Sequence, residues 1–444
     1  MREARDGSIG RKARRISRRR FLGLGGAGLA GAALLGTAGC GGDGGSGSGD
    51  IIFAMGPDTT GNLQELVRRF NEQSQDFKVR YREMPADTGQ YFDKLRTQFQ
   101  AGGGDIDVIG GDVIWPAQLA ANGWIVDVSD RFPESERQRF LPGPIESLTY
   151  EGGIYGVPWF TDAGMLYYRQ DLLEEAGFSE PPQTWEELKE QAKKITRDND
   201  DVESGMVFQG ANYEGGVCNG LEYIWTHGGD VLRGTSDEVV IDSQESVDGL
   251  AMEQSMVEEG VAPQAVANYT ETESHTAFLN GRSVFIRNWP YMYALAGNPE
   301  ESRIEQGQVG VTALPVAEGR ETTSALGGWN MLINAASDKQ DQAWEFVQFM
   351  TSEESQRFRA VEATLLPTLE SLYEDREVVE KVPVIRLGAE ALKNSRPRPV
   401  SPYYSDMSLQ MAEQFNNVVK GSASPEQAVR RLQQQLEQIV QQAQ

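Results

Sequence analysis

Cysteine and histidine are nearly absent from this 444-residue chain. Cys40 and Cys218 are its only cysteines, and His227 and His275 its only histidines. Two cysteines build neither a disulfide framework nor a thiolate metal cluster, and two distant histidines make no histidine-rich metal site. Carboxylate pairs such as Glu258-Glu259 read as a solvated helix face, so no metal and no cofactor is expected. Basic charge is also scarce, with 41 Lys and Arg against 66 Asp and Glu and a net charge of −25. Nine of those basic residues fall in the first 39 positions, so the rest of the chain is more acidic still. Such a body lacks the positive footprint that phosphate backbones require, which excludes nucleic acid as a partner. The stretch GGGD at 102–105 lacks the Lys-Ser/Thr of a phosphate loop and precedes a strand where it should follow one. It reads as a helix stop.

Residues 11–20 are strongly basic, and 21–38 form an uncharged, glycine-rich, weakly apolar stretch. SRRRFL at 17–22 resembles the bacterial twin-arginine export signal. TAGC at 37–40 resembles a lipoprotein cleavage site, although Thr37 replaces the usual large aliphatic residue. Residues 1–39 are therefore expected to be a signal peptide, Cys40 the lipidated residue, and 40–49, rich in Gly, Ser and Asp, a flexible tether. The competing assignment is a transmembrane anchor, since 18 uncharged residues nearly span a bilayer. The small residues, the cysteine and the flexible tract behind it favour the lipoprotein. Cys218 is then alone, and is expected to be buried and inert.

Past residue 50 the patterning turns regular. Apolar runs at 50–55 (DIIFAM), 77–81 (FKVRY) and 106–110 (IDVIG) predict strands. Leu63, Leu66, Val67 and Phe70, then Phe92, Leu95 and Phe99, recur at helical spacing between them. This β-α-β-α-β order predicts a parallel sheet whose ligands bind beyond the carboxyl ends of the strands. Asp112, two residues past the third run, falls in that crevice. Thr184-Trp185-Glu186-Glu187 predicts a capping box, and Ser424 with Pro425 and Gln427 predicts another ahead of the stripe Ala428, Leu432, Leu436 and Ile439. Further strands are predicted at 206–209, 283–287 and 308–314. No repeat and no composition shift divides the body, so tight segments such as 158–164 and 325–329 look like crossings within one globule.

The order of several motifs is more specific than any one of them. PWFTDAGMLYYR, PPQTWEEL, NWPYMY, QVGVTALP and ALGGWNMLINAASDKQDQAWEFVQFM follow the export signal in sequence. Together they resemble the extracellular sugar-binding proteins of ABC importers, the maltose-binding-protein-like group, and within it the trehalose/maltose-binding lipoproteins. The resemblance covers nearly all of the chain from residue 50 onward. It implies an α/β, two-lobed periplasmic-binding-protein-like type II fold, each lobe a mainly parallel sheet flanked by helices, with the ligand cleft at the hinge. Lobe one would comprise 50–160 plus 327–370, and lobe two 163–324 plus 374–444. The chain would cross the hinge near 160–163, near 325–329 and around 365–373. The lobes would close on sugar, and the permease would read that closure.

The same resemblance proposes site residues. Asp162, set among Trp159, Phe160, Tyr167 and Tyr168, would accept hydrogen bonds from sugar hydroxyls, an ionised carboxylate being an acceptor-only group. A surface turn before Ala163-Gly164 is the simpler alternative. Phe160 stands where several relatives carry Tyr. Asp112 would also bind sugar, with helix capping as its alternative. Trp289 and Trp329 would stack on the apolar C–H face of a pyranose, unless they merely fill the core. Gly328 would offer a backbone contact. Arg398, with Arg396 as its rival and a solvated charge as its alternative, would donate to hydroxyls or pair with Asp162 or Asp112. Tyr403 and Tyr404 sit where relatives place a cleft aromatic.

The function implied is a non-catalytic, monomeric receptor held to the outer face of the membrane by its N-terminal lipid alone. It would capture a disaccharide, trehalose first and maltose or a short maltodextrin second, and pass it to the ABC permease subunits. One rival is a secreted glycoside hydrolase using Asp112 and Asp162 as acid and nucleophile. Another is a type II receptor for iron or polyamines, which would want clustered Tyr or His, or several acids.

Overall fold

The computed structural model describes residues 49–443, apart from 59, 235–237 and 383. The export segment, Cys40 and the tether up to residue 48 lie outside them. Among the described residues no helix is long and apolar enough to cross a membrane.

The three leading apolar runs become β1 (Ile51–Met55), β2 (Val79–Glu83) and β3 (Val108–Asp112), with β1 paired in parallel to both others. Helices Asn62–Gln73 and Thr88–Gln100 connect them and bury the two predicted stripes, Leu63 through Phe70 and Phe92 through Phe99. Burial of each such side chain removes about 1.5–3 kcal/mol worth of apolar surface from water. Gly102, at φ 88°, follows the second helix and ends it. β2 and β3 both begin two residues later than the runs suggested. Phe77 and Ile106 are buried at 4% and 2% exposure yet lie ahead of the pairing, so apolarity marked burial rather than the ladder. In consequence Asp112 is the last residue of β3, not two residues beyond it.

A hairpin of β4 (Thr149–Tyr150) and β5 (Gly153–Ile154) precedes β6 (Val157–Ala163), which is buried throughout. Gly164 alone separates β6 from β7 (Met165–Arg169), which opens a second sheet with β8 (Ser204–Val207), β9 (Ser283–Asn288) and β10 (Val309–Thr312). β11 (Ser324–Ile333) returns to the first sheet, joined there by β12 (Leu366–Pro367) and β13 (Ser395–Arg396). The orders are β12-β6-β11-β3-β1-β2, with β13 also on β11, and β10-β7-β9-β8. Here the mainly parallel sheets expected from the sequence need correcting. β11 runs antiparallel to both β3 and β6, β12 is antiparallel to β6, and β7 is antiparallel to both β9 and β10. Both sheets are mixed, because the strands that cross between them arrive from the opposite end.

Strand alternation feeds two cores on the first sheet. Ile51, Phe53 and Val108 join one cluster, while Ala54 and Ile109 join another. The first cluster also takes Val378, Val382, Val384 and Ile385, residues the expected boundary gave to the second lobe. The second sheet has its own core of Met165, Tyr167, Met206, Phe285 and neighbours. Helices Glu214–Thr226, Tyr404–Val419 and Pro425–Ala443 share a further one. Both capping boxes form. Thr184 accepts from Glu187 N at 3.2 Å, and Ser424 Oγ accepts from Gln427 N at 3.3 Å while Gln427 Oε1 accepts from Ser424 N at 3.3 Å.

Candidate functional site

Where the strands of both sheets end, a cavity of about 250 Å³ opens. Asp112 reaches it from β3, Phe160 and Asp162 from β6, Gly328 and Trp329 from β11, Trp289 from the loop after β9, and Arg398 from beyond β13. The β11 register creates this grouping. Trp329 lies opposite both Asp112 and Phe160, and Gly327 lies opposite Asp162. Glycine is required at 328: its φ is 123°, and an added Cβ would sit 2.5 Å from the Phe160 carbonyl and 2.7 Å from Thr161 Cα. Gly328→Ala is expected to cost about 1–3 kcal/mol by overpacking, read as a lower midpoint of urea unfolding.

Two half-buried indoles on the cavity wall are each held by their neighbours. Trp329 is half-buried, stacked on Tyr91 at 6.2 Å and edge-on to Trp115 at 5.6 Å. Tyr91 is itself pinned, its hydroxyl donating to the Ala54 carbonyl at 2.9 Å. Trp289 is also half-buried and donates its indole N–H to Glu271 Oε1 at 3.3 Å. The Arg287 guanidinium covers one face of that ring, 3.9 Å from its centroid. Arg287 is in turn fixed by Glu222, 2.6 Å from its Nε, and the same carboxylate accepts from Ala325 N at 2.9 Å. One buried ion pair thus ties β9, the helix Glu214–Thr226 and the start of β11 together behind a stacking platform. Gly327 leaves room for it, since a Cβ there would come within 3.0 Å of the Trp289 ring.

The polar groups fall into a paired set and an unpaired set. Arg398 is 4% exposed and donates to Glu214 Oε1 at 2.7 Å and to Asp112 Oδ1 at 3.1 Å. Glu214 also accepts from the Tyr404 hydroxyl at 2.6 Å and from Ser408. Burial pushes the Asp112 carboxyl up to about 6 against the pull of Arg398. Among the described residues the Asp162 carboxylate has no hydrogen-bond or ion-pair partner, and its Oδ1 is enclosed. Burial pushes this carboxyl up to about 7, with the Arg359 guanidinium opposing and Asp112 adding to the rise. A buried acceptor without a donor is costly in an empty protein and useful in one that binds hydroxyls.

Seven of the eight ligand residues proposed from sequence therefore surround one cavity. Arg398 faces it, whereas Arg396 turns away to Asp230 at 2.5 Å. Tyr403 does not line it; it borders a separate depression with Asp406, Leu409 and Gln410. Helix Tyr404–Val419 starts at the next residue and carries Tyr404 inward to support Glu214 instead. Cys218 is buried at the cavity wall, its thiol pushed up to about 12 by burial, as suits an inert sulfur. Sequence reasoning missed Arg359, Glu214 and Glu271, all of which line the cavity. Glu214 follows a strand and its loop much as Asp112 ends one, and the strand-end argument applied to Asp112 reaches it too.

The family model described as bacterial extracellular solute-binding protein matches residues 56–357. A probable ABC transporter-binding protein of Deinococcus radiodurans is 34% identical over 367 residues, 81% of this chain and 86% of the relative. The galactooligosaccharide-binding protein of Bacillus subtilis is 25% identical over 376 residues, 84% of this chain and 85% of the relative. Among solved structures, maltose-bound MalE3 of T. maritima superposes with a TM-score of 0.83 at 37% identity, covering 88% of this chain and 99% of that one. Its fold and its sequence agree that the chain belongs to the bacterial extracellular solute-binding proteins, as a two-lobed, maltose-binding-protein-like receptor of an ABC sugar importer.

Proposed function

We propose that this receptor captures a neutral disaccharide between Trp289 and Trp329, with Asp162 and Asp112 accepting from its hydroxyls. Trehalose is the first ligand and maltose the second, the latter supported by the maltose in the 37%-identical relative. The observation that carries the reading is the convergence of two half-buried indoles and an unpartnered carboxylate on one cavity of about 250 Å³. Indole faces cover the C–H side of a pyranose while carboxylates take its hydroxyls. The lobes divide close to 160–163 and 325–329 and again past residue 385, since Val378 through Ile385 pack into the first core, and the ligand draws them together because it touches both only when they are closed. Cys40 carries the lipid after twin-arginine export, and the body works as a monomer outside the membrane, delivering sugar to the permease. Asp112 holds Arg398 and Ile114 N through Oδ1, which leaves Oδ2 to accept from a sugar hydroxyl.

Titration with trehalose, maltose, sucrose and glucose, followed by tryptophan fluorescence and calorimetry, tests the reading. A saturable response to a disaccharide is expected, weakened by about 1–4 kcal/mol in Trp289→Ala through loss of the stacking surface. Flat responses to all four sugars, or turnover of any of them, would remove it.

A further inference from the structure

We propose that Arg359 and Asp162 are the two halves of one subsite, which grips a sugar hydroxyl, or a vicinal pair, by donating from the guanidinium and accepting at the carboxylate. The proposal rests on the sugar-binding reading above and assigns it a ligand class, a neutral polyhydroxy compound.

Arg359 sits on helix Glu353–Ala363 and is 6% exposed at the cavity wall. Its guanidinium lies 3.9 Å from the Trp159 ring centroid and 4.4 Å from that of Phe160. Ring contacts of this kind satisfy none of the N–H donors of a guanidinium. Nε and Nη1 are enclosed with no partner. Asp162, lining the same cavity, has an enclosed Oδ1 with none either, and no ion pair joins the two residues. The other acids nearby are occupied. Asp58 accepts from Gln64 N at 2.9 Å and Thr60 N at 3.3 Å, and Asp112 holds Arg398.

One cationic donor and one anionic acceptor are thus left over, buried and apart. Keeping both unpaired is unfavourable unless a third group completes them. A hydroxyl does so alone, since it donates and accepts at once. An anion would suit Arg359 but meet Asp162, and the cavity wall carries five carboxylates against two guanidiniums. Sugar acids and sugar phosphates are therefore excluded by charge.

The test compares wild type with Arg359→Met and Arg359→Lys by calorimetry, using the disaccharide that wild type binds and its mono-deoxy analogues. Arg359→Met is expected to bind the parent sugar about tenfold or more weakly. One deoxy analogue that binds wild type poorly should suffer no added penalty in the variant. The ligand-free melting temperature should hold or rise, because an unpaired buried charge has gone; a merely structural arginine would lower it. Should the methionine variant fold poorly, Arg359→Lys keeps the charge, loses the planar fork, and should blunt the same deoxy penalty. Parent-sugar affinity equal to wild type in both variants, or every deoxy penalty retained in full, overturns the subsite. Wild type that binds sugar while Arg359 is indifferent defeats this proposal alone; wild type that binds no sugar defeats the sugar reading with it.

Discussion

Replacing Arg398 by methionine is expected to destabilise the protein by about 3–5 kcal/mol, the range for removing one partner of a buried ion pair. The guanidinium spans the helix Glu214–Thr226 and β3 and touches solvent hardly at all. Its loss strands two carboxylates unequally. Glu214 keeps the hydroxyls of Tyr404 and Ser408, whereas Asp112 keeps only Ile114 N at 3.2 Å. Most of the penalty therefore falls on Asp112, whose carboxyl is already pushed up to about 6 and rises further without the arginine. Two consequences separate this from simple loss of packing. The defect should shrink at pH 5, where Asp112 can take a proton, and Asp112→Asn should restore much of the stability in the double variant. Urea unfolding at pH 5 and pH 8 reads both. A loss under about 1 kcal/mol at pH 8 would mean that the pair contributes no more than a surface bridge does.

Which parts of this arrangement were legible in the chain follows from the kind of signal each leaves. The helices Asn62–Gln73 and Pro425–Ala443 announced themselves because an apolar face is a local property, and both bury it; the second also carries its Ser424 cap as patterned, whereas the first starts at Gly61 with no side-chain cap. The antiparallel return of β11 did not, since alternation along the chain says nothing about the direction in which a strand enters a sheet. Trp289 and Asp162 could be singled out because rare residue types stood beside turn residues in a recognisable motif order. Tyr403 failed by one position: helix periodicity sends Tyr404 inward and Tyr403 to another surface, and the cap that sets that phase, Tyr403 itself, has no cap signature. Arg359 left a faint trace. It shares the buried helical face of Ser355, Gln356, Ala360 and Ala363, where a lone cation is out of place. Its meaning depends on Trp159, Phe160 and Asp162, some two hundred residues earlier in the chain, and only the folded structure brings them together.

Asp162 ties stability and ligand binding to pH in opposite senses. Its carboxyl is pushed from the ordinary 3.8 up to about 7 by burial. Between those values the folded protein holds a proton that the unfolded chain has released, so the unfolded state binds fewer protons and stability falls as pH rises. The loss is complete above about 7. Ligand-free protein should accordingly be more stable at pH 5 than at pH 8, and Asp162→Asn should flatten part of that slope. Asp112, at about 6, and Glu253, raised by burial to about 8, would supply what slope remains. Sugar acts the other way. A hydroxyl that donates to Asp162 favours the ionised form, so affinity should climb from pH 5 to pH 8 and binding at the lower pH should release up to about one proton. In the asparagine variant affinity should drop by about 1.5–3 kcal/mol, the worth of a hydrogen bond to a charged group, and lose most of its pH dependence. Calorimetry in buffers of different ionisation enthalpy counts the proton directly. Affinity that stays level from pH 5 to pH 8 in wild type, or a pH slope that Asp162→Asn leaves unchanged, would show that this carboxylate does not face the bound sugar.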